Sequence, residues 1–134
     1  MRDPQEFEPR DFPFRASRRP VIEARFLGRP NRFKITAKID GGSVEAYLPN
    51  PGRLWELLLP DAKLFLENSG EVKDRKTDFT VIAVGTPHGP VMLHTHRTND
   101  AAQWLLERGL VPGWEDAAII RREVSFGGSR FDFL

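Results

Sequence analysis

A row of basic side chains is the first feature of this sequence that suggests chemistry. Arg32, Lys34 and Lys38 alternate with apolar positions in the segment 32–39. In an extended strand, side chains two residues apart share a face, so these three cations would form one basic stripe. A stripe of this kind could neutralise nucleic-acid phosphates, or it could be an ordinary solvated face of an antiparallel sheet.

The charge distribution favours the binding interpretation. The whole chain has 20 Lys and Arg against 19 Asp and Glu, so its net charge does not point to nucleic acid. Residues 15–38, however, hold eight basic residues and one acid, a net of +7, whereas residues 39–72 have a net charge of −4. Aromatic residues nearby in the sequence could offer a stacking surface. The nucleic-acid-binding residues predicted from these patterns are Arg25, Arg29, Arg32, Lys34, Lys38, Tyr47 and Arg53.

The two aromatic residues nearest the stripe are predicted to play different roles. Tyr47 is the outward member of its strand and is therefore the expected stacking residue. Phe33 shares its strand face with apolar residues, so we expect it in the core.

Other candidate sites are weaker. His94 and His96 would share a face on a strand, but no third ligand stands at a suitable spacing and the chain has no cysteine, so we predict no zinc site there. Asn50 and Gly52 lie in a turn with two prolines, where we expect Gly52 to supply a backbone angle that other residues avoid.

The period of the apolar residues predicts a mostly β fold. Strands are expected at 21–28, 32–39, 44–48, 62–67, 78–84 and 90–95, with a short helix at 53–59 ended by Pro60. Three strands, a short helix and two strands form the element order of an OB-like five-stranded barrel, although half-buried sandwiches have similar strand counts.

The pattern changes after Thr95. A helix capped by Thr98 or Asn99 and ended by Gly109 is followed by a hairpin over 119–134 with Gly127 and Gly128 at its turn. The predicted domains are a flexible arm at 1–20, the barrel at 21–95 and an incomplete second domain at 96–134. The last strand ends at Leu134, and its apolar edge is expected to favour self-association.

Several short motifs resemble one protein family. They are EVSFGGSRFDFL at 123–134, the P-N-P-G turn at 49–52, Asn31-Arg32-Phe33, the basic run at 73–76, and Thr95 with Asn99. Together they resemble the bacterial and archaeal sugar fermentation stimulation proteins (SfsA). The resemblance implies an OB-like barrel, then the helix and hairpin that open a restriction-nuclease-like α/β domain. It also implies nucleic-acid binding and a link to the regulation of sugar metabolism.

The resemblance gives Asp132 a candidate catalytic role. In restriction-type nucleases such an Asp, with a Glu-x-Lys on the next strand, holds a divalent metal that polarises phosphate and activates water. No Glu-x-Lys follows Asp132 in this sequence, and one carboxylate cannot hold a hard cation. Glu123 could lie across the hairpin near Arg130 as readily as near Asp132. We therefore predict no cofactor and no hydrolysis for this chain, with Asp132 catalytic and an Mg²⁺ or other divalent-ion ligand only in a longer one.

These observations predict a cytoplasmic, DNA-binding protein, with RNA as a second candidate ligand. The sequence contains no apolar run of about 20 residues that could cross a membrane. The alternative is a protein-interaction or structural module whose basic stripe docks an acidic protein partner.

Overall fold

The computed structural model describes residues 21–68 and 79–134. The predicted arm at 1–20 and the basic run at 73–76 lie outside the described residues. Those described fall into two compact units, one ending at His96 and the other running Arg97–Leu134.

The first unit is a closed barrel built from the first five strands. These are β1 (Val21–Asn31), β2 (Lys34–Ile39), β3 (Gly42–Tyr47), β4 (Lys63–Asn68) and β5 (Phe79–Thr86), and β6 (Gly89–Met92) extends the sheet beside β5. The strand order is β3-β2-β1-β4-β5-β6, and a parallel pairing of Ala46 with Phe79 and of Tyr47 with Thr80 closes β3 onto β5. This closure confirms the predicted OB-like five-stranded barrel.

The alternation of side chains along the strands determines which residues form the barrel's core. Side chains that are fully or almost fully buried come from five different strands or their ends: Ile35, Ala37, Ala46, Leu48, Leu64, Leu66, Val81, Val84 and Leu93. Because successive residues of a strand point to opposite faces, burying Ile35 and Ala37 turns their neighbours on β2 outward. The core therefore determines which face of β2 carries the basic side chains.

The first strand is longer than predicted. We expected it to break at Arg29-Pro30-Asn31, but β1 continues to Asn31. Its pairing with β2 shifts between Phe26 and Gly28 and again between Gly28 and Asn31. Irregular positions of this kind accommodate a proline, which cannot donate a ladder hydrogen bond.

The predicted helix at 53–59 is wrong. The chain makes only one turn there, in which the amides of Leu57 and Leu58 donate to the Leu54 carbonyl at 3.0 and 2.8 Å. Leu54 has a φ of +57°, and a residue in the left-handed region cannot belong to a right-handed helix. The leucine spacing that suggested a helix instead packs Leu54, Leu57 and Leu58 against the barrel core.

The second unit contains one helix, α1 (Thr98–Glu107), and a hairpin of β7 (Arg122–Phe126) and β8 (Ser129–Phe133). The predicted cap at Thr98 or Asn99 is wrong, since the cap position is Arg97 and has no side-chain cap hydrogen bond. The reason is that a 3-10 turn at Thr95–Arg97 runs straight into the helix, which leaves both residues inside it.

Glycines end the helix and turn the hairpin as predicted. Gly109 has a φ of +65°, and its amide donates to Leu106 while that of Leu110 donates to Leu105, which forms a Schellman ending. Gly127 and Gly128 have φ angles of +57° and +80°, as a type I′ turn requires. Among the described residues, no helix is long and apolar enough to span a membrane.

Candidate nucleic-acid interface

The structure splits the predicted basic stripe between a strand and a turn. Lys34 and Lys38 lie on β2, on either side of the buried Ile35 and Ala37. Arg32 lies in the β1–β2 turn, before β2 begins. Lys38 is opposite Arg25 of β1 in the antiparallel register. The outer face of β1 and β2 therefore carries several cations, but they do not form one regular row.

Not all of this charge is available to a ligand. The Lys34 Nζ lies 3.2 Å from the Glu45 Oε2 on β3. Arg25 donates from Nη1 to the Asp61 carbonyl at 3.4 Å. Arg25 and Lys38 also line a pocket of about 310 Å³ together with Glu23, Asp40 and Asp61. At this end of the stripe, acids balance the basic side chains.

Two aromatic rings stack beside Lys34. Lys34 is opposite Tyr47 in the β2–β3 register, and the Tyr47 ring lies 6.4 Å from the Phe33 ring, with 29° between their planes. Phe33 is 46% exposed, so its predicted place in the core is wrong. The alternation of β2 does not extend to Phe33, because this residue lies in the turn, where its amide donates to the Asn31 Oδ1 at 2.9 Å.

Arg29 organises the chain around it. Its Nη1 donates to the carbonyls of Gly52 and Arg53 at 2.6 and 2.9 Å. Its Nη2 donates to those of Arg32 and Asn50 at 2.7 and 3.0 Å. These four bonds use every hydrogen on the two Nη atoms. Burial and the positive charge of Arg32 lower the pKa of Arg29 below its ordinary value. The Arg29 side chain thus holds the β1–β2 turn against the P-N-P-G segment.

The P-N-P-G segment is itself tied to the barrel. The Asn50 Oδ1 accepts from the Gly52 amide at 3.0 Å, and its Nδ2 donates to the Leu93 carbonyl at 3.1 Å. Thr95 donates from Oγ1 to the Pro49 carbonyl at 2.6 Å. Gly52 does not have the positive φ that we expected. Its constraint is steric, since a Cβ there would lie 3.0 Å from the Asn50 Oδ1.

A cleft of about 510 Å³ opens between the β1–β2 turn and this segment, and we call it the Arg–Trp cleft. Its lining residues are Phe26, Arg29, Asn31, Arg32, Pro51, Gly52, Arg53, Trp55 and Leu58. The Arg53 guanidinium lies 5.1 Å from the centre of the Trp55 ring, and Trp55 is 72% exposed. Trp55 was not among the predicted binding residues. The signal was present, because the leucines at 54, 57 and 58 share one face and leave Trp55 outside it.

The histidines do not form the strand pair that was considered. Strand β6 ends at Met92, before either of them. The rings of His94 and His96 lie 5.5 Å apart, edge to face. In residues 21–68 and 79–134 there is no group of three or more His, Asp or Glu side chains placed to hold a metal ion.

Asp132 lies on β8 with an exposed side chain. Of the two placements considered for Glu123, the structure shows the one beside Arg130, with the Glu123 Oε2 at 3.0 Å from the Arg130 Nη2. Asp132 therefore offers a single exposed carboxylate, and the described residues do not surround it with further ligands.

Comparison with known proteins places this fold among its relatives. The family model of the SfsA N-terminal OB domain matches residues 27–93. The sugar fermentation stimulation protein homologue of Moorella thermoacetica is 36% identical over 114 residues, which cover 85% of this chain and 49% of that protein. The homologue of Chloroflexus aurantiacus is 38% identical over 114 residues, covering 85% of this chain and 44% of that protein.

A solved structure agrees. The structure of Pyrococcus furiosus SfsA in complex with Ca²⁺ aligns with a TM-score of 0.62 and 27% identity, covering 85% of this chain and 48% of that one. The chain thus spans about half the length of the relatives it matches. From the barrel, the family model and these relatives together, we conclude that the chain belongs to the sugar fermentation stimulation protein (SfsA) family.

Proposed function

We propose that this chain binds nucleic acid, with DNA as the first candidate and RNA as the second, through the basic and aromatic surface at the β1–β2 turn. One observation carries the proposal: the stacked pair of the exposed Phe33 and the half-buried Tyr47 lies beside Lys34 and next in sequence to Arg32. Aromatic rings stack on bases and cations neutralise phosphates, so a surface holding both suits a nucleic-acid strand.

The charges around this surface support a phosphate ligand. Among the described residues, no carboxylate lies within ion-pair distance of Arg32 or Arg53. Guanidinium groups without a carboxylate partner keep their donors for a bidentate contact with phosphate. Arg29 has a different part in the proposal, because its four Nη donors are spent on backbone carbonyls and its Nε is buried. It positions Arg32 and Arg53 and does not contact the ligand.

A divalent cation enters the proposal only for a longer chain. The Pyrococcus furiosus relative is in complex with Ca²⁺, and Ca²⁺ takes six to eight oxygen ligands. The described residues do not fit such an ion, because Asp132 is isolated and Glu123 is paired with Arg130. We propose that Asp132 would contribute one ligand to an Mg²⁺ or similar site in a nuclease-like domain that includes further residues. For this chain, binding is the proposed activity.

The test is a fluorescence-anisotropy titration of the purified chain against labelled single- and double-stranded oligonucleotides at two salt concentrations. We expect binding of several unrelated base sequences that weakens as salt rises, because phosphate contacts release counterions. An acidic polypeptide such as polyglutamate serves as the competitor. If polyglutamate binds and oligonucleotides do not, the chain is an interaction module for an acidic protein partner, and the nucleic-acid proposal fails.

A further inference from the structure

The Arg–Trp cleft combines groups that the outer face of β2 does not bring together. Arg32 lies on one wall, Arg53 and Trp55 lie on the other, and Phe26 and Leu58 add apolar lining. No carboxylate is among the described residues that line the cleft. A ligand that fits must therefore present an anionic group and a flat apolar group side by side.

The cleft is held open by bonds within the protein. The Arg29 guanidinium bonds the Arg32 carbonyl on one wall and the carbonyls of Asn50, Gly52 and Arg53 on the other. Because one rigid, planar group joins both walls, the spacing between them is fixed before a ligand arrives. Fixing a site in advance lowers the entropy lost on binding.

The positive charge is concentrated at the end of the cleft that would hold the ligand's anionic group. Burial and, after it, the positive charge of Arg32 lower the pKa of Arg29, so these two guanidinium groups lie close enough to repel each other. A phosphate between Arg32 and Arg53 would relieve that repulsion. Its oxygens could accept from both guanidinium groups, which is the geometry that arginine provides best.

The aromatic end is open. Trp55 is 72% exposed, and Arg53 lies over its ring at 5.1 Å. Cation–π contact with Arg53 orients the indole while most of its surface stays accessible. A large exposed aromatic beside an uncompensated arginine is typical of surfaces on which bases stack.

We propose that the Arg–Trp cleft holds one unpaired nucleotide of a single strand, with its base against Trp55 and its phosphate between Arg32 and Arg53. The proposal rests on the nucleic-acid binding proposed above and deepens it. The volume of about 510 Å³ lies within the range of small-ligand sites. In a duplex both faces of each base are already stacked, so the cleft would give the chain a preference for single strands.

The test compares two exposed tryptophans. Trp55→Leu removes the proposed stacking ring, and Trp114→Leu removes a ring that is 63% exposed but lies in the other unit. Anisotropy titrations use a labelled dT12 strand and a labelled 12-base-pair duplex. We expect Trp55→Leu to weaken dT12 binding by about tenfold, the order of one lost base stack, and to leave duplex binding unchanged. Trp114→Leu should match the wild type with both ligands.

The phosphate half of the site is tested by Arg53→Ser, which should flatten the salt dependence of dT12 binding by about 0.7 in the log–log slope. Circular dichroism and thermal unfolding establish that each variant is folded. If wild type binds dT12 with the expected salt dependence and Trp55→Leu binds it equally well, the cleft proposal is overturned while the binding function stands. If wild type binds no oligonucleotide at all, both fail.

A last titration distinguishes binding of a strand from binding of a free nucleotide. We expect dTMP to bind far more weakly than dT12, because a strand continues past the cleft to Lys34 and the Phe33–Tyr47 pair. If dTMP binds as tightly as dT12 and Trp55→Leu abolishes that binding, the cleft is a free-nucleotide site and the single-strand proposal is wrong.

Discussion

Both units expose aromatic side chains, but the charges beside them differ. On the barrel, Phe33 and Trp55 are 46% and 72% exposed, and Arg32 and Arg53 lie next to them. On the hairpin, Phe126 is 77% exposed, and the chain again places arginines nearby. From the sequence alone the two surfaces look alike.

The two surfaces differ in whether their arginines have carboxylate partners. On the hairpin strands, Arg122 lies 2.9 Å from the Asp100 carboxylate and Arg130 lies 3.0 Å from that of Glu123. Arg32 and Arg53 have no such partner among the described residues. An exposed ring beside a compensated charge is an apolar patch that needs a protein cover, whereas one beside an uncompensated charge suits a phosphate-bearing ligand. Charge compensation, more than aromatic exposure, separates the two surfaces.

The largest expected effect tests the barrel surface directly. Changing Arg32, Lys34 and Arg53 together to Ser should flatten the log–log salt slope by about two and weaken binding by roughly 100-fold near 0.1 M salt, because Arg32 and Arg53 have no carboxylate partner among the described residues while Lys34 shares its charge with Glu45. The effect should be the same for all base sequences, because phosphates carry no sequence information. The matched control changes Lys63, Arg121 and Arg130 to Ser, which removes equal charge elsewhere. If both triple variants lose affinity equally, only net charge matters and the barrel surface has no special role.

The second prediction compares one arginine from each unit by stability. Arg29→Met removes four hydrogen bonds from a charged donor to backbone carbonyls, so the free energy of unfolding should fall by about 2–3 kcal/mol. Arg122→Met removes an ion pair with Asp100 and a hydrogen bond to Gln103 at 3.1 Å, both partly exposed, and should cost under about 1 kcal/mol. Urea unfolding of both variants measures the difference. Equal losses would show that Arg29 does not hold the two walls of the cleft together.

The sequence predicted the barrel well because alternation and burial are local signals. The inward positions Ile35, Ala37, Ala46 and Leu48 follow a period of two, and the core confirms them. The turn before β2 was predicted less well, since the position of Phe33 is decided by a hydrogen bond to Asn31 and not by the period of the strand. A pattern cannot show where a strand's alternation begins.

The sequence predicted which basic residues belong to the site, but it did not predict how their side chains are arranged. The sequence indicated Arg29, Arg32 and Arg53 as equivalent cations. Only the fold shows that Arg29 spends three of its donors on carbonyls from residues 21 to 24 positions away, while the other two line a cleft without a carboxylate partner among the described residues. The helix expected at 53–59 was wrong for a related reason, because Leu54 has a left-handed φ and packs against the barrel core, which a local pattern does not show.

The third prediction tests the hairpin surface. We propose that the chain self-associates through its exposed apolar hairpin, because exposed apolar patches and unpaired strand edges favour pairing. Changing Phe126 and Phe131 to Ser should abolish the concentration dependence of the sedimentation coefficient and leave oligonucleotide affinity unchanged. Changing Phe33 and Tyr47 to Ser should leave the concentration dependence of the sedimentation coefficient unchanged. It should weaken oligonucleotide binding by about 1–3 kcal/mol per stacked base. If the hairpin variant loses oligonucleotide affinity, or the barrel variant loses self-association, the two surfaces do not have these separate roles.

The smallest expected effect concerns Asp132, whose side chain is exposed on β8. Its neighbour across the hairpin, Glu123, is paired with Arg130 at 3.0 Å, and a hard divalent cation prefers about six oxygen ligands. Asp132→Ala should therefore leave plasmid nicking at the level of a no-protein control in Mg²⁺ or Mn²⁺, as should the wild-type chain. Asp116→Ala, which removes another exposed carboxylate of the same unit, controls for surface charge. Nicking by the wild type that requires metal, and that disappears in Asp132→Ala but not in Asp116→Ala, would show that this chain completes a metal site around Asp132 after all.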